Sequence, residues 1–126
     1  MYLVGVIIFY VWSVDKQVLG GHFMKETYRL VITAKEIRGK CPVFKVRDKI
    51  VAETPEIMLK ETDALCVHAL GSMISMITAL SCGISFKELG LATKEGNVGY
   101  VQCLDPGTPY TKGGTVIFEI RREKIR

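Results

Sequence analysis

Cysteine and histidine are scarce in this sequence, and the cysteines are widely spaced. There are four cysteines and two histidines among 126 residues, a density too low for a secreted domain held together by disulfides. No two cysteines form a Cys-x-x-Cys pair, which excludes the usual zinc-finger and ferredoxin spacings. Any metal site would therefore have to be assembled from distant segments of the chain.

Other absences narrow the class of protein further. There is no internal repeat, low-complexity tract or Pro/Ser-rich linker, and the length is that of one domain. The sequence contains no HExxH motif and no GxxxxGK[ST] phosphate loop, since Lys112 precedes its glycines. The net charge of +4 is modest, and a solvated strand end explains the basic segment 121–126. Nucleic acid is therefore not an expected partner.

The first 14 residues form an apolar run that is too short to span a membrane. The run ends at Asp15, whereas a membrane-spanning helix needs about 20 apolar residues. It also lacks the basic start and the small-residue cleavage site of a signal peptide. The tract LGG at 19–21 lies just before Met24, and these residues can be encoded by a ribosome-binding sequence. We therefore expect residues 1–23 to be a non-native upstream extension or disordered, and residues 24–126 to form a single cytoplasmic domain without a membrane partner.

Apolar periodicity and turn residues predict four strands and two helices. The strands are predicted over residues 28–37, 44–53 (with a turn-like break at 47–48), 98–104 and 114–121, and the helices over 64–81 and 85–89. Strands lie at both ends of the domain and helices between them, in the order β-β-α-α-β-β. This order predicts the α+β class, with an antiparallel sheet and both the apolar helix and the short helix packed on one face.

The helix predicted over residues 64–81 has no charged residue and is apolar on nearly every side. Thr62 and Asp63 are predicted to cap its N-terminus. A domain of this size cannot easily bury every face of such a helix, and Gly71 and Ser75 would let another backbone approach closely. We therefore expect a homo-oligomer that assembles through this helix.

Cys66 has the most favourable predicted environment for a reactive thiol. With Asp63 as the N-cap it would occupy the third helical position, where unpaired N–H groups and the helix dipole favour a thiolate. His68 follows two residues later, but that spacing is about 200° on a helix, so the two side chains would leave on opposite faces. They could share a site only if the segment is extended there or if the site lies between subunits.

Two other cysteines are predicted near bends or strand ends, where binding groups often collect. Pro42 biases Cys41 towards an extended conformation, and Cys103 precedes a loop rich in Gly and Pro over residues 105–114. That loop offers a carboxylate, a phenol and a hydroxyl that we expect to line a ligand pocket: Asp105, Tyr110 and Thr111. Alternatively, the loop is a hairpin connection and the cysteines are small hydrophobic core residues.

At these same positions the chain resembles an uncharacterised family of small proteins found mostly in anaerobic bacteria and archaea. The matching motifs are GKCPV at 39–43, ETDALCVHAL at 61–70, YVQCLDPG at 100–107 and PYTKGGTVIFE at 109–119. The resemblance covers nearly all of the chain from Met24 onwards and leaves out the first 23 residues. It implies no particular substrate.

The resemblance also implies which of the reactive side chains belong to the family pattern. It implies that Cys41, Cys66, His68 and Cys103 belong to the family pattern, whereas Cys82 is particular to this chain. Arg47 stands where the family pattern has a glycine, which puts the expected tight turn in question. An anaerobic setting suits either a redox metal bound by thiolates or a reactive thiol.

Three hypotheses for the function remain open. The first is an iron or zinc site held by Cys41, Cys66, His68 and Cys103, because three thiolates and an imidazole suit a tetrahedral ion. The second is a metal-free thiol enzyme with Cys66 as nucleophile and Asp105 or His68 as proton acceptor. The third is a non-catalytic, oligomeric binding module whose cysteines belong to the core.

Overall fold

The computed structural model describes residues 27–125, so the extension predicted over 1–23 lies outside the described residues. Five strands and one α-helix are found in this part of the chain: β1 Tyr28–Arg38, β2 Lys49–Glu53, β3 Glu56–Ile57, a 3-10 helix Leu59–Glu61, α1 Val67–Ser81, β4 Val98–Gln102 and β5 Thr115–Lys124. The domain is therefore of the mixed α+β class, as the sequence predicts.

The five strands form one antiparallel sheet in the order β3-β2-β1-β5-β4. β1 lies at the centre, where Ile32 pairs with Ile50 of β2 on one side and with Ile120 of β5 on the other. The longest pairing, between β1 and β5, joins the two ends of the described chain. The prediction of an antiparallel sheet is confirmed.

The core lies between one face of the sheet and α1. Alternate residues of β1 are fully buried, namely Leu30, Ile32 and Ala34, as the period of two in a strand requires. The buried residues of α1 recur at helical spacing: Ala69, Met73, Ile77, Leu80 and Ser81. The opposite side of α1 exposes Val67 and Ile74. Within residues 27–125, no helix combines the length and apolarity needed to cross a membrane.

α1 begins three residues later than predicted, and Asp63 is not its N-cap. The backbone N–H of Asp63 donates to the carbonyl of Lys49, and the Asp63 carboxylate accepts from the Lys49 N–H. These contacts with β2 hold the chain extended, so that Cys66 becomes the N-cap, with φ −136° and ψ 131°. The prediction that Cys66 occupies the third helical position is wrong.

Two further segments differ from the predicted order of elements. A short strand, β3, follows β2 and was not expected. Residues 85–89 form hydrogen-bonded turns instead of a second helix. Ser85 and Glu88 do make reciprocal side chain–backbone bonds, of the kind that begin a helix. The segment stops at Gly90, where φ is +74°, because a left-handed residue cannot continue a right-handed helix.

The turn before β2 forms even though Arg47 replaces the expected glycine. Arg47 adopts φ +82°, a conformation that glycine takes without steric cost. Its N–H donates to the carbonyl of Ala34, and the Asp48 N–H donates to the carbonyl of Lys45. The predicted strand over 44–53 is consequently ordered as a strand only from Lys49 onwards.

On the sheet face opposite α1, Glu119 is expected to contribute pH-dependent stability. The hydrogen bond from Lys35 Nζ, at 2.7 Å, and the nearby Arg121 hold the pKa of Glu119 below its ordinary value of 4.5. A carboxyl whose pKa is lower in the folded state stabilises the fold above its unfolded pKa, and this contribution is lost as the pH falls. Glu119→Gln should therefore cost about 1 kcal/mol at pH 7 and almost nothing at pH 3.

Urea unfolding at the two pH values measures this difference. Glu36→Gln is the matched control, because Glu36 forms an ion pair with Arg38 in which both side chains are more than half exposed. The control should change the free energy of unfolding by a few tenths of a kcal/mol at most. Equal losses for Glu119→Gln at pH 7 and pH 3 would contradict the assignment.

Candidate functional site

A cavity of about 290 Å³ lies where three distant segments meet. Its walls come from the turn at 41–44, from the start of α1, and from the end of β4 with the loop that follows. Five side chains singled out from the sequence line it: Cys41, Cys66, His68, Cys103 and Asp105. Most of the remaining lining is apolar. The fold thus brings together five side chains that are spread over 64 positions of the sequence, from 41 to 105.

Cys41 is held by the backbone of the residues that follow it. Its sulfur accepts hydrogen bonds from the N–H groups of Val43, at 3.4 Å, and Phe44, at 3.3 Å. Pro42 bends the chain so that both N–H groups point back at the sulfur. Backbone N–H donors of this kind are typical contacts of sulfurs that bear charge or bind a metal.

Cys103 is also held by backbone groups in the cavity lining. Its sulfur accepts a hydrogen bond from the N–H of Val116, at 3.2 Å, and contacts the carbonyl oxygen of Gly114, at 3.9 Å. Cys103 is only 8% exposed. Cys103 is therefore the least accessible thiol of the three.

Two glycines bring Cys41 close to the loop after β4. The N–H of Gly114 donates to the carbonyl of Arg38 at 3.0 Å. A Cβ on Gly114 would lie 2.7 Å from the Lys40 carbonyl oxygen, and a Cβ on Gly39 would lie 2.9 Å from the Gly114 nitrogen. Backbones can approach this closely only where side chains are absent. The contact places Cys41 beside Gly114, whose carbonyl oxygen the Cys103 sulfur also contacts.

Cys66 and His68 line the same cavity, in spite of their spacing. The expectation that they point to opposite faces applies to two residues inside a helix, whereas Cys66 is the extended N-cap. No side chain caps the N-terminus of α1, and no hydrogen bond to the Cys66 sulfur is found among the described residues. Cys66 is therefore the cavity thiol whose sulfur accepts no hydrogen bond from residues 27–125.

Asp105 is held in its ionised form at the edge of the cavity. One carboxylate oxygen accepts hydrogen bonds from the Thr111 hydroxyl and from the Gly107 N–H, the latter at 2.8 Å. The hydrogen bond from Thr111 lowers the pKa of Asp105 most, and the hydrogen bond from Gly107 lowers it further. The nearby His68 makes a smaller contribution in the same direction. A carboxylate therefore faces the cavity at neutral pH.

The other two predicted ligand-binding residues, Thr111 and Tyr110, are not part of the cavity lining. Thr111 positions Asp105 and does not itself line the cavity. Tyr110 is 82% exposed on the tip of the loop and lies outside the cavity lining. Cys82 is exposed at the opposite end of α1.

The cysteines share a cavity without surrounding a common point. In residues 27–125, no group of three or more His, Cys, Asp or Glu side chains is placed so that it could hold a metal ion. A site formed by Cys41, Cys66, Cys103 and His68 would require these side chains to move towards one another.

Sequence reasoning missed the groups that position the thiols. The N–H donors of Val43 and Phe44 carry no residue-specific signal, because every non-proline residue has one. Gly39 and Gly114 are visible as glycines, but their mutual contact joins positions 75 residues apart.

Comparison of the chain with protein-family models, curated proteins and solved structures finds no significant match.

Proposed function

We propose that the cavity is a thiol-dependent site for a small molecule, with Cys66 as the nucleophile. The observation that carries the proposal is that Cys41, Cys66, Cys103, His68 and Asp105 line one mostly apolar cavity. The sulfurs of Cys41 and Cys103 accept hydrogen bonds from backbone N–H groups. The sulfur of Cys66 accepts none from the described residues, so it is the one proposed to react with a ligand. A concave, apolar site with a few convergent polar groups is the usual form of a small-molecule site.

The start of α1 supplies the electrostatic support for such chemistry. The first N–H groups of a helix have no partners within it, and they stabilise negative charge placed nearby. In the proposed reaction the Cys66 sulfur forms a bond to an electrophilic carbon of the ligand. The electron pair displaced from that carbon passes to the leaving group or to a carbonyl oxygen.

His68 is the proposed acceptor of the thiol proton. Asp105 is the weaker base of the two candidates, because the Thr111 hydroxyl and the Gly107 N–H already occupy its carboxylate and lower its pKa. Histidine is the side chain that most often takes up and gives back a proton in enzyme active sites.

Zinc or iron binding is the second candidate function, and one observation favours it. The two N–H groups directed at the Cys41 sulfur are the kind of outer contact that metal-bound thiolates have. Cys41, Cys66, Cys103 and His68 would be the ligands. The side chains would have to close on the ion, since the described residues hold no ready group of three ligands.

A homo-oligomer through α1 stays a prediction, as do the cytoplasmic location and the absence of nucleic-acid and membrane partners. The outer side of α1 exposes Val67 and Ile74 and carries no charge. A non-catalytic binding module would use this surface and leave the cavity thiols unreactive.

Site-resolved alkylation tests the proposed thiol site. Limiting iodoacetamide is added to the folded protein, and the rate at each cysteine is read by mass spectrometry, with the exposed Cys82 as the internal reference. We expect Cys66 to react about tenfold faster than Cys82 at pH 7. His68→Gln should reduce this advantage. A Cys66 that reacts no faster than Cys82 would contradict the proposal.

The same measurement separates the metal alternative. If one equivalent of Zn²⁺ slows alkylation of Cys41, Cys66 and Cys103 together and leaves Cys82 unaffected, the metal site is the better description. Unchanged rates at all four cysteines would rule out zinc binding by these thiols.

A further inference from the structure

The cavity lining contains one carboxylate and no lysine or arginine to balance its charge. Asp105 is the one carboxylate among the described residues that line it, and neither lysine nor arginine belongs to that lining. Lys40 and Lys112 are close in sequence to lining residues, but both are exposed and lie outside the lining. His68 is the remaining titratable group on the wall, apart from the thiols.

The rest of the wall is apolar and the space is small. Pro42, Val43, Phe44, Val67 and Val116 supply hydrocarbon surface around the thiols. A volume of about 290 Å³ is at the lower end of the range for small-molecule sites. An anion entering this space would lose water and meet a carboxylate without gaining a cationic partner, which is unfavourable in an environment of low polarity.

Building on the thiol site proposed above, we infer that the ligand of this cavity is compact, largely apolar and either uncharged or cationic, and that Asp105 selects against anions. The geometry of the loop supports this role. The Thr111 hydroxyl and the Gly107 N–H both donate to one carboxylate oxygen, which orients the Asp105 side chain at the cavity edge. Phosphorylated and carboxylated metabolites are thereby disfavoured as substrates.

Two alkylating reagents of nearly equal size test the inference. Iodoacetamide is neutral and iodoacetate is anionic; with either, the Cys66 sulfur forms a bond to the CH2 carbon as iodide leaves. The ratio of the two rates at Cys66 is measured at pH 8. The same cysteine in urea-denatured protein gives the intrinsic ratio. Folding should raise the preference for iodoacetamide about threefold, the size expected for a solvent-screened charge interaction.

Substitutions of Asp105 test whether its carboxylate causes the preference for iodoacetamide. Asp105→Asn should abolish most of the added preference, and Asp105→Glu, which restores the charge, should recover it. Glu95→Gln is the matched control, since it removes one negative charge outside the cavity lining and should leave the ratio unchanged. In the unmodified protein, raising NaCl from 10 mM to 500 mM should lower the preference, because salt screens charge. This last measurement does not depend on how any variant folds.

The outcomes distinguish this inference from the proposal beneath it. Suppose that Cys66 is alkylated faster than Cys82, but that its ratio of iodoacetamide to iodoacetate rates is the same in folded and denatured protein. The inference that Asp105 selects against anions is then overturned, and the proposed thiol site stands. If Glu95→Gln changes the ratio as much as Asp105→Asn, selection by Asp105 is likewise overturned. If Cys66 reacts no faster than Cys82, the thiol site itself fails.

Discussion

Replacing Gly99 by Ala is expected to destabilise the protein by about 3 kcal/mol. A Cβ at this position in β4 would lie 2.1 Å from Cδ1 of Phe86. Phe86 is fully buried, so its ring has no free space into which to move. The added methyl group must displace either the ring or the edge strand, and both contribute to the core.

Gly71→Ala is the matched control for this prediction. Gly71 lies in α1, and its added Cβ would make only an ordinary contact, 3.7 Å from a methyl group of Leu104. Alanine is favoured over glycine in helices by about 1 kcal/mol, so the control should stabilise the protein. Urea unfolding monitored by circular dichroism measures both changes. A loss below 1 kcal/mol for Gly99→Ala would show that Phe86 is not packed against β4 as described.

Gly114→Ala is expected to cost about 2–3 kcal/mol and to release Cys41. Gly114 has φ +106°, and its added Cβ would lie 2.7 Å from the Lys40 carbonyl oxygen and 3.3 Å from Cα of Cys41. The segment at 40–41 must therefore move away from the loop after β4. This movement should expose the Cys41 sulfur, and its alkylation should become about tenfold faster in the folded protein.

Gly90→Ala separates backbone strain from collision. Gly90 also has positive φ, +74°, but nothing lies within 4 Å of its added Cβ. Strain alone should cost about 1 kcal/mol, without any change in the reactivity of Cys41. If Gly114→Ala is no more harmful than Gly90→Ala and leaves Cys41 alkylation unchanged, the contact between the two segments does not position the thiol.

The parts of the fold that the sequence predicted are those with strong local patterns. β1 alternates over Tyr28–Arg38, and the structure has the strand within one residue of the predicted range. α1 ends at Ser81, as predicted, where Gly83 follows. The missed features depend on long-range contacts. The start of α1 was misplaced because the polar groups of Asp63, which would suit an N-cap, instead bond to the backbone of β2.

The candidate site follows the same division. Of the seven residues predicted from the sequence, five line one cavity, whereas Tyr110 and Thr111 lie outside its lining. The five are Cys41, Cys66, His68, Cys103 and Asp105. Sequence reasoning did not indicate which of the three sulfurs is free. That depends on the backbone N–H groups that bond to Cys41 and Cys103, and such donors are identical at almost every residue.

The sequence by itself determined the α+β class, the antiparallel sheet and the set of chemically reactive residues, because alternation, helical spacing and side-chain chemistry are properties of short segments. Only the tertiary structure decided that Cys66 is an extended N-cap, that Gly39 and Gly114 hold two thiol-bearing segments together, and that Asp105 faces the cavity. These features arise from contacts between residues far apart in the chain. Such contacts form only when the sheet and α1 pack together, and no local pattern encodes them.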